Sequence, residues 1–278
     1  MQYNIKFLTI LLFIYIKLYY FNTLTNIQYE RKFKICRENY TDRIPILTFH
    51  RLVPEDIKNT KKYINKQYIG SIEKFAEMME WLYSNDYKTI NTTEFYLWYK
   101  GKIEYNRKTV LITIDDGFYD EYYLAYPIIK KYNFKITSFI VGSRIKKKTP
   151  KYNKNKIGFI GQDIIEKIKK EYPNIEFQSH SYNMHYRTKN NEIIIKSMNF
   201  EELKLDVLSN SKFGFTTMAY PYGKYNINIK SILKEQRYLC AFSFLPNDYA
   251  TRKSDQYAIP RIKINGFANK YDMIKWVK

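Results

Sequence analysis

The chain has 278 residues, 45% of them hydrophobic and 27% charged, a balance that excludes a disordered polypeptide and suffices for one large domain with a real core. Lysine and arginine number 47 against 27 acidic residues, a formal charge of +20. The basic residues are scattered and no nucleic-acid-reading motif accompanies them, so nucleic acid is not an expected partner.

In chain order, Lys6 precedes an apolar run at 7–16, and Lys17 separates this from a second short run at 18–21. Residues 1–22 therefore read as a signal peptide or a membrane anchor. No small-x-small cleavage site follows, which favours an exported protein tethered to the outer face of the membrane over a cleaved, secreted one. Residues 23–43 are polar and mixed in charge, as a linker would be. From 44 to 278 apolar strands and amphipathic helices alternate. Strands are expected at 44–49, 109–114, 136–141, 175–178, 216–220, 239–242 and 256–259, and helices at 72–83, 122–132, 163–170, 200–209 and 228–236. Asn199 followed by Glu202 has capping-box spacing, and 146–156 reads as a basic excursion loop. The alternation implies an α/β domain with a parallel sheet, open or closed into a barrel. The two cysteines, Cys36 and Cys240, are distant and lack CxxC spacing, which excludes a disulfide framework and a cysteine metal or redox pair.

Four polar clusters follow strand ends. Phe49 runs into His50-Arg51, and Ile114 into Asp115-Asp116-Gly117. Gln178 runs into Ser179-His180-Ser181, with His185 shortly after, and Tyr220 into Pro221-Tyr222-Gly223. In parallel α/β folds the carboxyl ends of strands share one rim, where function collects. Taken singly, DDG and PYG read as turns and a histidine after a strand as a packing residue. Their joint placement, which takes in all 3 histidines of the chain, points instead to a site. Two neutral imidazoles and one carboxylate with an open position suit a divalent metal. The i,i+5 spacing of His180 and His185 fits a loop and not one helix face. At a strand end followed by Gly117 the two aspartates can take different roles, one as a ligand and the other as a base toward a water that the cation acidifies.

The residues Thr113-Ile-Asp-Asp-Gly117 resemble the TFDDG motif of polysaccharide deacetylases, the NodB-homology domain of carbohydrate esterase family 4. The stretch 179–185 looks like the second motif of that family and Ala219-Tyr-Pro-Tyr-Gly223 like its third. The resemblance runs from about Ile44 to the C-terminus. It implies a distorted (β/α) barrel and hydrolysis of N-acetyl groups on the amino sugars of a polysaccharide. It also implies Asp115 as base, Asp116, His180 and His185 as ligands of a divalent metal, usually zinc, and the backbone amide of Tyr222 as an oxyanion donor. The chain departs from the family pattern in three places. The i,i+5 histidines match the exopolysaccharide branch and not the commoner i,i+4. The usual arginine of the third motif is missing beside Met218-Ala219. The usual late Leu-x-His is missing as well, the tail offering Pro260-Arg261-Ile262-Lys263. His50, in a Phe-His-Arg context similar to the early histidine of poly-N-acetylglucosamine deacetylases, is assigned the general acid, and Arg261 the orienting arginine. The expected reaction is deacetylation of poly-N-acetylglucosamine or a peptidoglycan-like glycan, with protonated His50 serving the leaving nitrogen. A non-catalytic glycan-binding protein on the same fold, or a metal amidase for a small non-sugar amide, is the alternative.

Overall fold

Strands covered on both faces read as continuous apolar runs, and the long central strand is one: all eight residues of Thr109–Asp116 are buried. The computed structural model describes Thr23 and residues 40–245 and 249–278. The expected leader at 1–22 and most of the expected linker lie outside the described residues. Among the described residues no helix is long and apolar enough to cross a membrane. Residues 42–278 form one compact unit.

Among the described residues the strands are β1 (Arg43–Ile44), β2 (Ile46–Phe49), β3 (Arg51–Val53), β4 (Ile69–Ser71), β5 (Lys88–Ile90), β6 (Thr109–Asp116), β7 (Ile136–Ile140), β8 (Ile175–Ser179), β9 (Thr217–Ala219), β10 (Cys240–Ser243), β11 (Ala250–Thr251), β12 (Ile259–Pro260) and β13 (Ile262–Lys263). The main sheet runs β12-β10-β9-β8-β7-β6-β2-β13, with β5 added on β6. Its pairings are parallel. Only Arg261 separates β12 from β13, so one short stretch touches both ends of the order: Pro260 pairs with Ser243 of β10 and Lys263 with Thr48 of β2. The sheet is therefore a nearly closed barrel, and the expected distorted (β/α) barrel is what the chain forms.

Alternation along the strands divides the core. Ile46, Leu111, Phe139, Ala219, Phe242 and Ile259 form one cluster, the barrel interior. Leu47, Ile112, Ile114, Ile140 and Phe177 belong to another, which packs the outer face of the barrel against Phe75, Met78, Met79 and Leu82 of helix Ile72–Ser84. That helix is stopped at its N-terminus by Ser71, whose hydroxyl accepts the Lys74 N–H. The capping box expected at Asn199 and Glu202 is formed.

The structure departs from expectation in several elements, the unforeseen short strands β3, β4, β5 and β11 among them. The last strand is not 256–259 but 259–263, broken at Arg261, which carries a charge into the barrel where an apolar run would have been recognisable. Helix Thr92–Tyr99 was not foreseen. Its residues Thr92, Phe95 and Trp98 are buried, and it closes the amino end of the barrel, with the Phe95 ring 5.7 Å from that of Phe242 and inclined to it by 58°. Having apolar residues on most of its faces, it shows little helical periodicity. Helix Lys270–Val277 was likewise missed, though Asn269 and Asp272 box its N-terminus. The helix expected at 122–132 is a π turn, Glu121–Ala125, leading into an α-helix at Tyr126–Lys131. Pro127 lacks the N–H that a continuous α ladder would use.

Candidate active site

Strand register builds the rim. Asp116 pairs with Ile140, Ile140 with Ser179 and Ser179 with Met218, while Phe49 pairs with Ile114 on the other side. The residues that follow these positions emerge side by side although they are remote in sequence. Asp115 lies on the same face of β6 as Thr113 and points into the barrel. Asp116 leaves the strand pattern: its φ is 83°, followed by 69° at Gly117. Both values lie in the left-handed region, and a Cβ at Gly117 would come within 2.7 Å of the Ile140 side chain. This turn sends the two neighbouring carboxylates to different partners.

Asp116 meets the two histidines. Its Oδ1 is 2.8 Å from Nε2 of His185 and 3.6 Å from Nε2 of His180, and one ligand atom from each of the three residues lies within 4.8 Å of the others. His180 Nδ1 is 2.8 Å from the Ala219 carbonyl. A carbonyl only accepts, so Nδ1 carries the proton and Nε2 presents a lone pair. Burial lowers the His180 pKa to about 4, which keeps the ring neutral at pH 7. Burial would raise the Asp116 carboxyl, but the imidazoles of His185, His180 and His50 hold it well below the usual carboxylate range. Asp116 Oδ1 is buried and has no hydrogen-bond partner of acceptable geometry. A buried anionic oxygen beside the Nε2 lone pair of His180 and the ring of His185 fits a divalent cation, and the donor set of two imidazoles and one carboxylate suits it.

Asp115 meets an arginine. Arg261 donates from Nη1 and Nη2 to the two carboxylate oxygens, both at 2.8 Å, with both side chains fully buried. The guanidinium, followed by His180 and His50, overcomes burial and holds the Asp115 carboxyl below its ordinary value. Arg261, expected from the sequence as the orienting arginine, stands between β12 and β13 with its guanidinium against the Asp115 carboxylate. His50 Nε2 is 4.0 Å from Asp115 Oδ2, and its ring stacks on Phe244 at 6.3 Å. Burial, the largest influence, lowers its pKa from 6.5. Burial thus favours the uncharged ring at neutral pH. Tyr222 occupies the turn Pro221–Gly223 with φ 58° and ψ 11°, and its ring stacks 4.7 Å from that of His185.

One supporting residue was not singled out from the sequence. Asp206, on helix Phe200–Ser209, accepts the backbone N–H groups of Tyr182 and Asn183 at 2.8 and 2.7 Å. The loop between the two histidines is drawn in by these bonds, by Ser181 at φ 65° and by the Met184 N–H on Ser181 Oγ, at 3.0 Å. This is how an i,i+5 pair converges. A signal was present: Asp206 lies with Leu203 and Val207 on the buried face of its helix, and an acid there needs a partner.

The family model for polysaccharide deacetylases matches residues 102–241. A poly-beta-1,6-N-acetyl-D-glucosamine N-deacetylase of Staphylococcus aureus is 31% identical over 249 residues, 83% of this chain and 81% of that protein. The chain belongs to the polysaccharide deacetylase family. Solved structures of family deacetylases show the same fold. That of IcaB from Ammonifex degensii has a TM-score of 0.68 at 19% identity, covering 85% of this chain and 97% of that one. The Streptococcus pyogenes deacetylase PplD, solved in complex with acetate, has a TM-score of 0.69 at 19% identity, covering 85% and 98%.

Proposed function

We propose that this deacetylase removes N-acetyl groups from an extracellular poly-N-acetylglucosamine, with a divalent cation, zinc by its donor set, held by Asp116, His180 and His185. The observation that carries the reading is the division of two adjacent aspartates between two partners, Asp116 toward two imidazoles and Asp115 in a bidentate pair with Arg261. When bound, the cation acidifies water and polarises the scissile carbonyl. Asp115, unprotonated and held in one orientation by Arg261, takes the proton of the attacking water. His50 is neutral at rest, so it becomes a donor only by gaining a proton within the cycle. Asp115 Oδ2, 4.0 Å away, is the group that acquires one. His50 then delivers it to the departing amine, and the Tyr222 amide donates to the oxyanion. The likeness to the staphylococcal enzyme over most of both chains supports the choice of polymer. The apolar run at 7–16 supports export, with residues 1–22 as leader or tether. Acetate release from poly-N-acetylglucosamine, peptidoglycan and a small N-acetyl amide tests the reading. We expect release from the first to exceed the others, and turnover of the small amide alone would overturn it.

A further inference from the structure

We propose that Arg51 is a positioning residue for the deacetylation, holding His50 against Asp115 by clamping together the segments that carry the two groups. The role rests on the proposed function of His50 as proton donor to the departing amine. Arg51 itself touches none of the reacting groups.

The His50 ring has few restraints of its own. Its Nδ1 is buried and bonds to no group among the described residues. Its Nε2 stands 4.0 Å from Asp115 Oδ2, beyond hydrogen-bond distance, and the Phe244 ring is 6.3 Å away. A proton donor works only within hydrogen-bond reach of the atom it serves, so the placement of this ring comes from the backbone that carries it.

The next residue fixes that backbone. The Arg51 side chain is fully buried, and each guanidinium nitrogen binds a different segment. Nε donates to Asp120 Oδ2 at 2.9 Å, Nη1 to the Tyr63 hydroxyl at 3.0 Å and Nη2 to the Lys156 carbonyl at 2.9 Å. Asp120 lies on the turn that follows Asp116, Tyr63 in the loop between β3 and β4, and Lys156 in the excursion loop after β7. That loop is stitched to the same turn. The Tyr119 N–H donates to the Gly158 carbonyl and the Ile160 N–H to the Gly117 carbonyl, both at 3.0 Å. The Tyr119 hydroxyl donates to the Lys156 carbonyl as well, at 3.0 Å. Consecutive residues His50 and Arg51 therefore face Asp115 and Asp120 across one junction, the first pair loose and the second locked. A buried ion pair is seldom more stabilising than apolar side chains of its volume. What this one supplies is geometry, since a planar guanidinium holds three partners at once and an ammonium does not.

The test compares two substrates in the metal-loaded full chain: an N-acetylglucosamine oligomer, whose leaving amine needs a proton, and an activated acetate ester, whose leaving group needs little. Arg51→Met removes all three bonds. Its kcat on the oligomer should fall ~10²-fold, the loss expected when a reacting group is displaced by about 1 Å, and the loss on the ester should be smaller by ~10-fold or more. Arg51→Lys, which keeps the charge without the fork, should fall between Arg51→Met and wild type. Metal content should hold, because β6–β7 register and the turn at Gly117 place Asp116. Equal losses on the two substrates, or loss of metal, would overturn the role and leave Arg51 a structural residue. Should Arg51→Met fail to fold, Tyr63→Phe decides: it deletes one hydroxyl, keeps the ion pair, and should show the same imbalance to a smaller degree, equal losses again overturning the role. His50→Ala, assayed alongside, separates the two readings. If it spares the ester while the Arg51 and Tyr63 variants do not, only the positioning role falls; if it loses both substrates equally, His50 is not the proton donor and both fall.

Discussion

Replacing Arg261 by methionine should destabilise the protein and move its acid limb at once, because one guanidinium serves both fold and chemistry. Asp115 has no exposure and Arg261 only 2%. The two bonds at 2.8 Å are the Asp115 side-chain contacts that offset the desolvation of its charge. Removing one partner of a buried pair leaves the other uncompensated and costs about 3–5 kcal/mol. For a domain of this size that is a fall of roughly 6–20 °C in Tm. The sign with pH follows from the depressed Asp115 pKa. The stabilisation is present above its ordinary value of 3.8 and is lost as pH falls through the lower folded value. The gap between wild type and variant should therefore close in acid. With Arg261 gone, burial acts unopposed and raises the Asp115 pKa, so the acid limb of kcat/KM moves to higher pH. Thermal unfolding of the metal-free forms across pH, with the pH–rate profile of the loaded forms, measures both. Asp115→Asn combined with Arg261→Met should cost at least 2 kcal/mol less than the sum of the single changes, since no buried charge then lacks a partner. A loss below about 1 kcal/mol in the single variant, with an unmoved acid limb, would refute the reasoning.

Asp206→Asn keeps the shape of the group that gathers the histidine loop but trades an acceptor for a donor opposite two N–H groups; divalent-metal affinity, read by competition with a chelator, should fall ~10-fold or more, and unchanged affinity would assign Asp206 to stability alone. Glu121 is buried with a single polar contact, Ser138 Oγ at 2.9 Å, and burial pushes its pKa from 4.5 to about 8. Its protonated form is thus favoured in the fold, and this stability is lost as pH rises from 4.5 through 8. Glu121→Gln should gain up to roughly 3 kcal/mol on wild type between pH 4.5 and 7, and a pH-independent gap in denaturant midpoints would contradict it. For His50, a neutral resting ring means that kcat/KM stays level as pH rises past 6.5 and falls only below it. A descending limb near 6.5 that disappears in His50→Ala would restore the standing cation.

The site was more legible than the fold that carries it. Asp115, Asp116, His180 and His185 follow apolar runs and carry scarce side-chain types, so their convergence could be argued from strand ends alone. Arg261 was matched to the family's missing arginine by residue type alone. Its bidentate geometry depends on the break between β12 and β13, which no apolar pattern marks. Asp206 escaped because its work is done through backbone N–H groups 23 and 24 residues away, and sequence spacing carries no record of such bonds. Helix Thr92–Tyr99 was hidden because apolar residues occupy its exposed side, Leu97 among them, as well as its buried one, which erases the period that betrays a surface helix. The protonation state of His50 depends on its burial and on the neighbouring Asp115, Asp116 and Arg261, which residue identity alone does not carry.

The division of labour between the two adjacent aspartates is tested most directly by the metal content of Asp115→Asn and Asp116→Asn proteins, purified in parallel and measured by elemental analysis on the folded fraction. Asp115→Asn should retain close to the wild-type complement of metal while losing turnover, because its partner is Arg261. Asp116→Asn should lose most of its metal, because two imidazoles alone seldom retain a catalytic divalent ion. Full metal in Asp116→Asn, or metal lost from Asp115→Asn, would contradict the account.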